Sequence, residues 1–165
     1  VCSAGFGLDE LTAEFKAAND DYSYIMAEAL ADRLAEAFAE LLHERVRKDD
    51  WGYAKDESFN CEDLLKVKYQ GIRPAPGYPS QPDHTEKATM WDLMKVKEEI
   101  GVELTETFAM LPSASVSGLY FAGACSEYFN VGKLTSDQVE EYAGRKKMEL
   151  SEVQRWLGPN LSYEP

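Results

Sequence analysis

The chain is poor in the residues that build metal and redox centres. Its three cysteines, Cys2, Cys61 and Cys125, stand far apart with no CxxC among them, and His43 and His84 are its only histidines. That set gives zinc ligation little support. Free thiols in a reducing, cytoplasmic setting are the simplest expectation. Basic residues are also scarce: 17 Lys and Arg stand against 30 Asp and Glu, a formal charge of −13. Such a balance repels nucleic-acid phosphates and anionic membrane surfaces. It suits a cationic ligand, a basic protein partner or simple solubility. No apolar run approaches the roughly 18–20 residues that a spanning helix needs. Neither nucleotide-binding glycine loop, GxGxxG or GxxxxGK(S/T), occurs, and no GxSxG elbow is present. The opening residues, Val1 to Phe6, include no initiator Met and no basic segment before a long apolar stretch. They read as a cut made inside a larger protein.

What is present is enough for a folded body. With 165 residues, 44% hydrophobic and 12% aromatic, the chain suits one domain or a large piece of one, without internal repeat or linker. A helical pattern runs from Leu8 towards Ala18. A longer one spans about Asp20 to Lys48, free of Gly and Pro and rich in Ala, Leu and Glu, all good helix formers. At 100° per residue, Met26, Leu30, Leu34, Ala37, Phe38, Leu41 and Leu42 share one face, expected to point to the core. Glu28, Asp32, Glu36 and Glu40 lie opposite, read as a solvated face. Asn60 to Tyr69 predicts a shorter helix. Asp83 with Glu86 predicts a capped helix to about Glu99, stopping at Gly101. Val116 to Phe121 and Tyr128 to Val131 read as an antiparallel hairpin. Thr135 with Gln138, and Ser151 with Gln154, predict two capped helices at the end. The sum is α+β: long amphipathic helices packed with a small antiparallel sheet.

Between the third and fourth expected helices lies a loop holding four of the seven prolines, at 74, 76, 79 and 82. Prolines fix φ and bias their neighbours towards extended backbone. A loop so stiffened can present main-chain groups at set positions, with less entropy lost on binding. Arg73 brings a planar fork suited to a carboxylate. Gly77 admits a ligand close to the backbone, and Tyr78 adds an aromatic face. A rigid structural connection, with Arg73 paired to an acidic helix, is the competing reading. Arg73, Pro76 and Pro79 also fit a polyproline ligand pattern, but such ligands lie in unstructured segments, and this loop is pinned between helices.

The run Gly71 to Lys87, with its RxxxGY core at Arg73 to Tyr78, resembles the signature of the cobalamin-dependent methionine synthase activation domain. So, in collinear order, do Ala29 to Glu40, Leu42 to Arg47, Ser113 to Phe121, and Asp137 to Glu140 through Trp156 to Leu161. The resemblance implies a domain that binds S-adenosylmethionine and supports reductive methylation of oxidised cob(II)alamin within a methyltransferase, methionine synthase. It implies partners as well: a cobalamin-binding module of the same enzyme, and a flavodoxin-like or methionine synthase reductase as electron donor. A non-catalytic docking module for such a reductase is the alternative. Asp83-His84 lacks the glycine of the DxHxxG corrinoid motif, so cobalamin is expected on another module.

By the same resemblance, Arg73 takes the carboxylate of S-adenosylmethionine, and Ala75 and Gly77 offer main-chain groups to adenine. Tyr78 completes the motif, and Tyr128 and Phe129 form a second contact pair. As neighbours on a strand, one of that pair is expected to face ligand and the other core. Asp32 or Glu36 is a candidate to meet the ligand or the cobalamin module. No residue need act as acid, base or covalent nucleophile, because the sulfonium already activates the methyl group. An acidic residue from an upstream half of the family's domain is expected to complete the pocket.

Overall fold

The longest stretch of good helix formers becomes the longest helix. In the computed structural model, which describes residues 1–165, β1 (Cys2–Ser3) and α1 (Leu8–Ala17) lead into α2 (Asp21–Arg45), extended by a π turn over Val46–Asp50. Asp20 caps α2, its carboxylate accepting the Ser23 N–H at 3.0 Å. The helix buries Ala31, Ala35, Ala39 and His43, one residue every four, against β1 and β4 (Ser115–Val116). Side chains this short let the strands come close: the Cys2 thiol reaches the Ala35 carbonyl at 3.8 Å. The leucine face expected to be the core face is the exposed one. Leu30, Leu34 and Leu41 are 56%, 61% and 59% exposed, and Met26 and Phe38 are also open. The helix carries two apolar stripes, and the strands of this chain settle on the alanine one.

The sheet is smaller and differently paired than the sequence suggests. β1 and β4 run antiparallel with Cys2 opposite Val116. A second antiparallel pair joins β2 (Glu103–Leu104) to β3 (Met110–Leu111). The hairpin expected between 116–121 and 128–131 does not form, because both runs bond to the proline loop. Ile72 and Phe121 exchange N–H···O bonds of 3.0 Å, and Leu119 donates to the Pro74 carbonyl at 2.9 Å. Val131 donates to the Pro79 carbonyl, also at 2.9 Å. The loop thereby gains backbone partners on two sides.

Three helix ends also differ. The helix after Asn60 is short, α3 (Cys61–Leu65), with a reciprocal Asn60–Asp63 capping box. The predicted helix to Glu99 splits at Lys95, left-handed at φ 50°, into α4 (Glu86–Met94) and α5 (Val96–Ile100), and Gly101 closes it. Asp83 is not its cap: its carboxylate accepts the N–H and hydroxyl of Thr85, which precedes the first turn. The Thr135–Gln138 box opens α6 (Ser136–Lys146) as expected. The last helix, α7 (Leu150–Trp156), starts one residue before Ser151, with Glu149 at its cap.

Two apolar clusters hold the ends. Val139, Ala143, Val153, Leu157 and Leu161 knit α6 to α7, and Met90, Trp91, Val96 and Val102 knit α4 to α5 and β2. Each buried Val or Leu contributes about 1.5–3 kcal/mol relative to exposure. A polar staple fastens the two regions. Lys146 on α6 donates to Asp83 at 2.7 Å and Glu86 at 2.8 Å, while the Tyr142 hydroxyl donates to Asp83 at 2.7 Å. Those bonds outweigh burial and hold the Asp83 carboxyl below its ordinary range. Burial and both carboxylates push the Tyr142 phenol upward.

Candidate functional site

The proline loop borders the main cavity of the molecule, about 630 Å³, within the size range of small-molecule pockets. Arg73, Ala75, Tyr78, Tyr128 and Phe129 all line it. Gly77 stands in the turn between Ala75 and Tyr78, left-handed at φ 97°. A Cβ at that position would collide with the ring of His84. The glycine is therefore required by the protein's own packing. Glu36 also lines the cavity, whereas Asp32 does not. Cys2, Ala39, Val116 and Tyr120 supply wall that sequence reading did not assign.

Arg73 is positioned before any ligand arrives. Its Nη2 donates to Glu40 at 2.6 Å, and its Nη1 donates to the Tyr69 hydroxyl at 2.8 Å and to His43 Nδ1 at 3.4 Å. A guanidinium has five N–H bonds. Three are taken, so Nε–H and one hydrogen of Nη2 remain, the number a bidentate carboxylate uses. The structural pairing with an acidic helix therefore leaves part of the same guanidinium open.

The loop backbone has the same half-spent character. Gly77 N–H donates to the Gln81 carbonyl at 2.7 Å, and Tyr78 N–H to the Ala75 carbonyl at 3.3 Å. The Ala75 N–H and the Gly77 carbonyl take part in no bond within the chain. One donor and one acceptor, two residues apart on a braced turn, are thus left open. Tyr128 accepts the Arg73 backbone N–H at 2.9 Å, which leaves its own hydroxyl proton to give. Tyr128 and Phe129 do not divide between ligand and core. The segment is not a strand, and the residues are 48% and 62% exposed.

The family model for the vitamin B12-dependent methionine synthase activation domain matches residues 1–147. The chain belongs to this family. A solved structure described as the MetH reactivation domain bound to AdoHcy is 58% identical, with a TM-score of 0.93. That match covers 95% of this chain and 48% of the other. The chain thus spans about half the length of that solved relative, and the α+β architecture is that of a reactivation domain.

Behind the cavity wall, this activation-domain chain holds a polar seam that sequence reading missed. His43 is fully buried, stacked on Tyr120 at 4.8 Å and edge-on to Tyr69 at 5.1 Å. Burial, then the charges of Arg47 and Arg73, lower its pKa to about 3, so it is neutral near pH 7. Since Nδ1 accepts from Arg73, the proton sits on Nε2. Arg47, its side chain wholly buried, lies over the Tyr69 ring at 3.9 Å and pairs with Glu57 at 2.7 Å. The available signal was spacing. Glu40, His43 and Arg47 repeat at three to four residues, which puts them on one side of α2. The Leu42-His43-Glu44-Arg45-Val46-Arg47 run also falls in a stretch that resembles the family.

Proposed function

We propose that this chain supplies the arginine and main-chain side of an S-adenosylmethionine site in the reactivation domain of a cobalamin-dependent methionine synthase. In that reading it presents the methyl donor to cob(II)alamin held by another module, with an electron from a flavoprotein partner. The observation that carries it is the pair of open N–H bonds on a pre-clamped Arg73, facing a cavity that also meets an unpaired Ala75 N–H and Gly77 carbonyl. The solved relative's adenosyl ligand, AdoHcy, supports the same class of occupant.

The residues present fit the group. Arg73 takes the amino-acid carboxylate, Ala75 and Gly77 take the adenine edge, and Glu36 on the wall suits a positive centre. An aromatic face or a hydroxyl dipole from Tyr128 and Phe129 stabilises a sulfonium by about 0.5–2 kcal/mol. S-adenosylmethionine itself supplies an activated methyl group on positive sulfur. What the chain's own residues do is bind, orient and exclude water, so that placement accounts for most of the rate effect.

Titration of the chain with S-adenosylmethionine by calorimetry tests the reading. Arg73→Ala would strip Glu40 and Tyr69 of a partner as well as the ligand of its fork. Arg73→Lys is the cleaner variant, since it keeps the charge and removes the planar geometry. Its affinity is expected to fall by at least tenfold with the far-ultraviolet spectrum unchanged. Equal affinity in Arg73→Lys and the parent rejects the role of Arg73.

A further inference from the structure

Lys87 sits where electrostatics disfavours a cation. It is 6% exposed and lies in the first turn of α4, the positive end of that helix dipole. Its ammonium makes no ion pair. Its partners are the Phe108 carbonyl at 2.9 Å and His84 Nδ1 at 3.2 Å. Burial lowers its pKa. A charge held against desolvation and dipole alike, on the wall of the main cavity, has a use other than helix stability.

The contacts show what it reaches. An ammonium can only donate, so His84 Nδ1 accepts and the ring is fixed as the Nε2–H tautomer. The same ring lies flat against the Cα of Gly77, with Cε1, Nδ1 and Nε2 the nearest atoms to the missing Cβ. On the other side, Phe108 is left-handed at φ 59° and its ring packs edge-on to Trp156 at 5.2 Å, which anchors the carbonyl. A continuous chain of contacts therefore runs from the β2–β3 turn through Lys87 and His84 to the ligand loop.

We propose that Lys87 is a positioning residue: through His84 it holds the Gly77–Tyr78 turn, and so the open Gly77 carbonyl, in the orientation an adenosyl ligand needs. Its functional half rests on the reading of the site given above. Burial and the Lys87 charge, partly countered by Asp83, lower the pKa of His84, in keeping with a ring held neutral as an acceptor.

The test uses ¹⁵N-labelled chain as parent, Lys87→Met and Lys87→Gln, the last retaining an N–H donor without charge. Ring-nitrogen spectra report tautomer and titration of His84, with buried His43 as internal control. Calorimetry with S-adenosylhomocysteine reports affinity. In the parent, His84 should be the Nε2–H tautomer and titrate below the ordinary histidine value. In Lys87→Met the midpoint should climb towards that value, the Gly77 and Tyr78 amide signals should move, and Kd should weaken about tenfold, as for loss of one charge-assisted bond. Lys87→Gln should fall between. An unmoved His84 titration in Lys87→Met overturns the proposal. So does a moved titration with an unchanged Kd in a parent that binds. A parent that takes up no adenosyl ligand, while His84 and Gly77 still answer to Lys87, refutes the ligand reading and leaves the Lys87–His84–Gly77 linkage supported.

Discussion

Mild acid should loosen this chain chiefly through the imidazole of His43. His43 has a folded pKa of about 3, against an ordinary value near 6.5. Because the folded value is the lower one, the unfolded chain binds the proton first as pH falls. The stability that neutral His43 contributes is complete above about pH 6.5 and is lost progressively down towards pH 3. Each pH unit inside that window corresponds to about 1.4 kcal/mol. From pH 7 to pH 5 the loss from this site is therefore about 2 kcal/mol, a sizeable fraction of a domain's total. The cause is geometric: a cationic imidazole would sit within 3.4 Å of the Arg73 guanidinium, with Arg47 also buried nearby and no carboxylate bonded to the ring. Guanidinium unfolding at pH 7, 6 and 5, compared with His43→Phe, isolates the effect. Phe keeps a ring against Tyr120 and cannot titrate, so the variant is less stable at pH 7 but its loss of stability across the window is shallower by about 2 kcal/mol. Parallel curves for parent and variant, or an NMR titration of His43 near pH 6.5, would refute the reasoning.

Two further outcomes follow from the packing. Lys146→Met leaves the nearly buried Asp83 with only Thr85 and Tyr142, and should cost about 3 kcal/mol at pH 7; the difference from the parent should shrink in acid once Asp83 takes up a proton, since its depressed folded pKa makes its contribution one that falls with pH. On α2, Ala35→Leu should destabilise by about 1–3 kcal/mol through overpacking against β1, whereas Leu34→Ala on the open face should change thermal stability by less than about 0.5 kcal/mol beyond helix propensity; the reverse ranking would show that the leucine stripe is the core face.

The helices were legible where local chemistry decides them. The Asp20 to Lys48 run and the Thr135–Gln138 box reflect propensity and capping, which act within a few residues. Which face of α2 turns inward was not legible, because periodicity reports that apolar residues align, not which of two adjacent stripes meets another element. The hairpin failed for a related reason. Val116 to Phe121 and Tyr128 to Val131 do carry strand-like composition, but their partners are carbonyls and amides of a loop 45 to 52 residues upstream. Arg73, Gly77 and Tyr78 could be picked out because a proline brace, a fork and a bare glycine leave a local mark, whereas Ala75 was indicated only by the family resemblance. The Glu40, Tyr69 and His43 clamp leaves only the three-residue spacing of Glu40 and His43, since Tyr69 comes from the segment after α3 and meets them only on folding.

The grip on Arg73 carries a consequence for turnover. In the proposed S-adenosylmethionine site, carboxylate, ribose and adenine are identical before and after a methyl group departs, so an arginine fork and a loop backbone would not tell donor from spent product. In that reading any preference for one over the other must arise from other groups on the cavity wall, Glu36 and Phe129 among them. Remodelling Phe129 would then retune selectivity, whereas a change at Tyr128 would also remove the partner of the Arg73 backbone N–H.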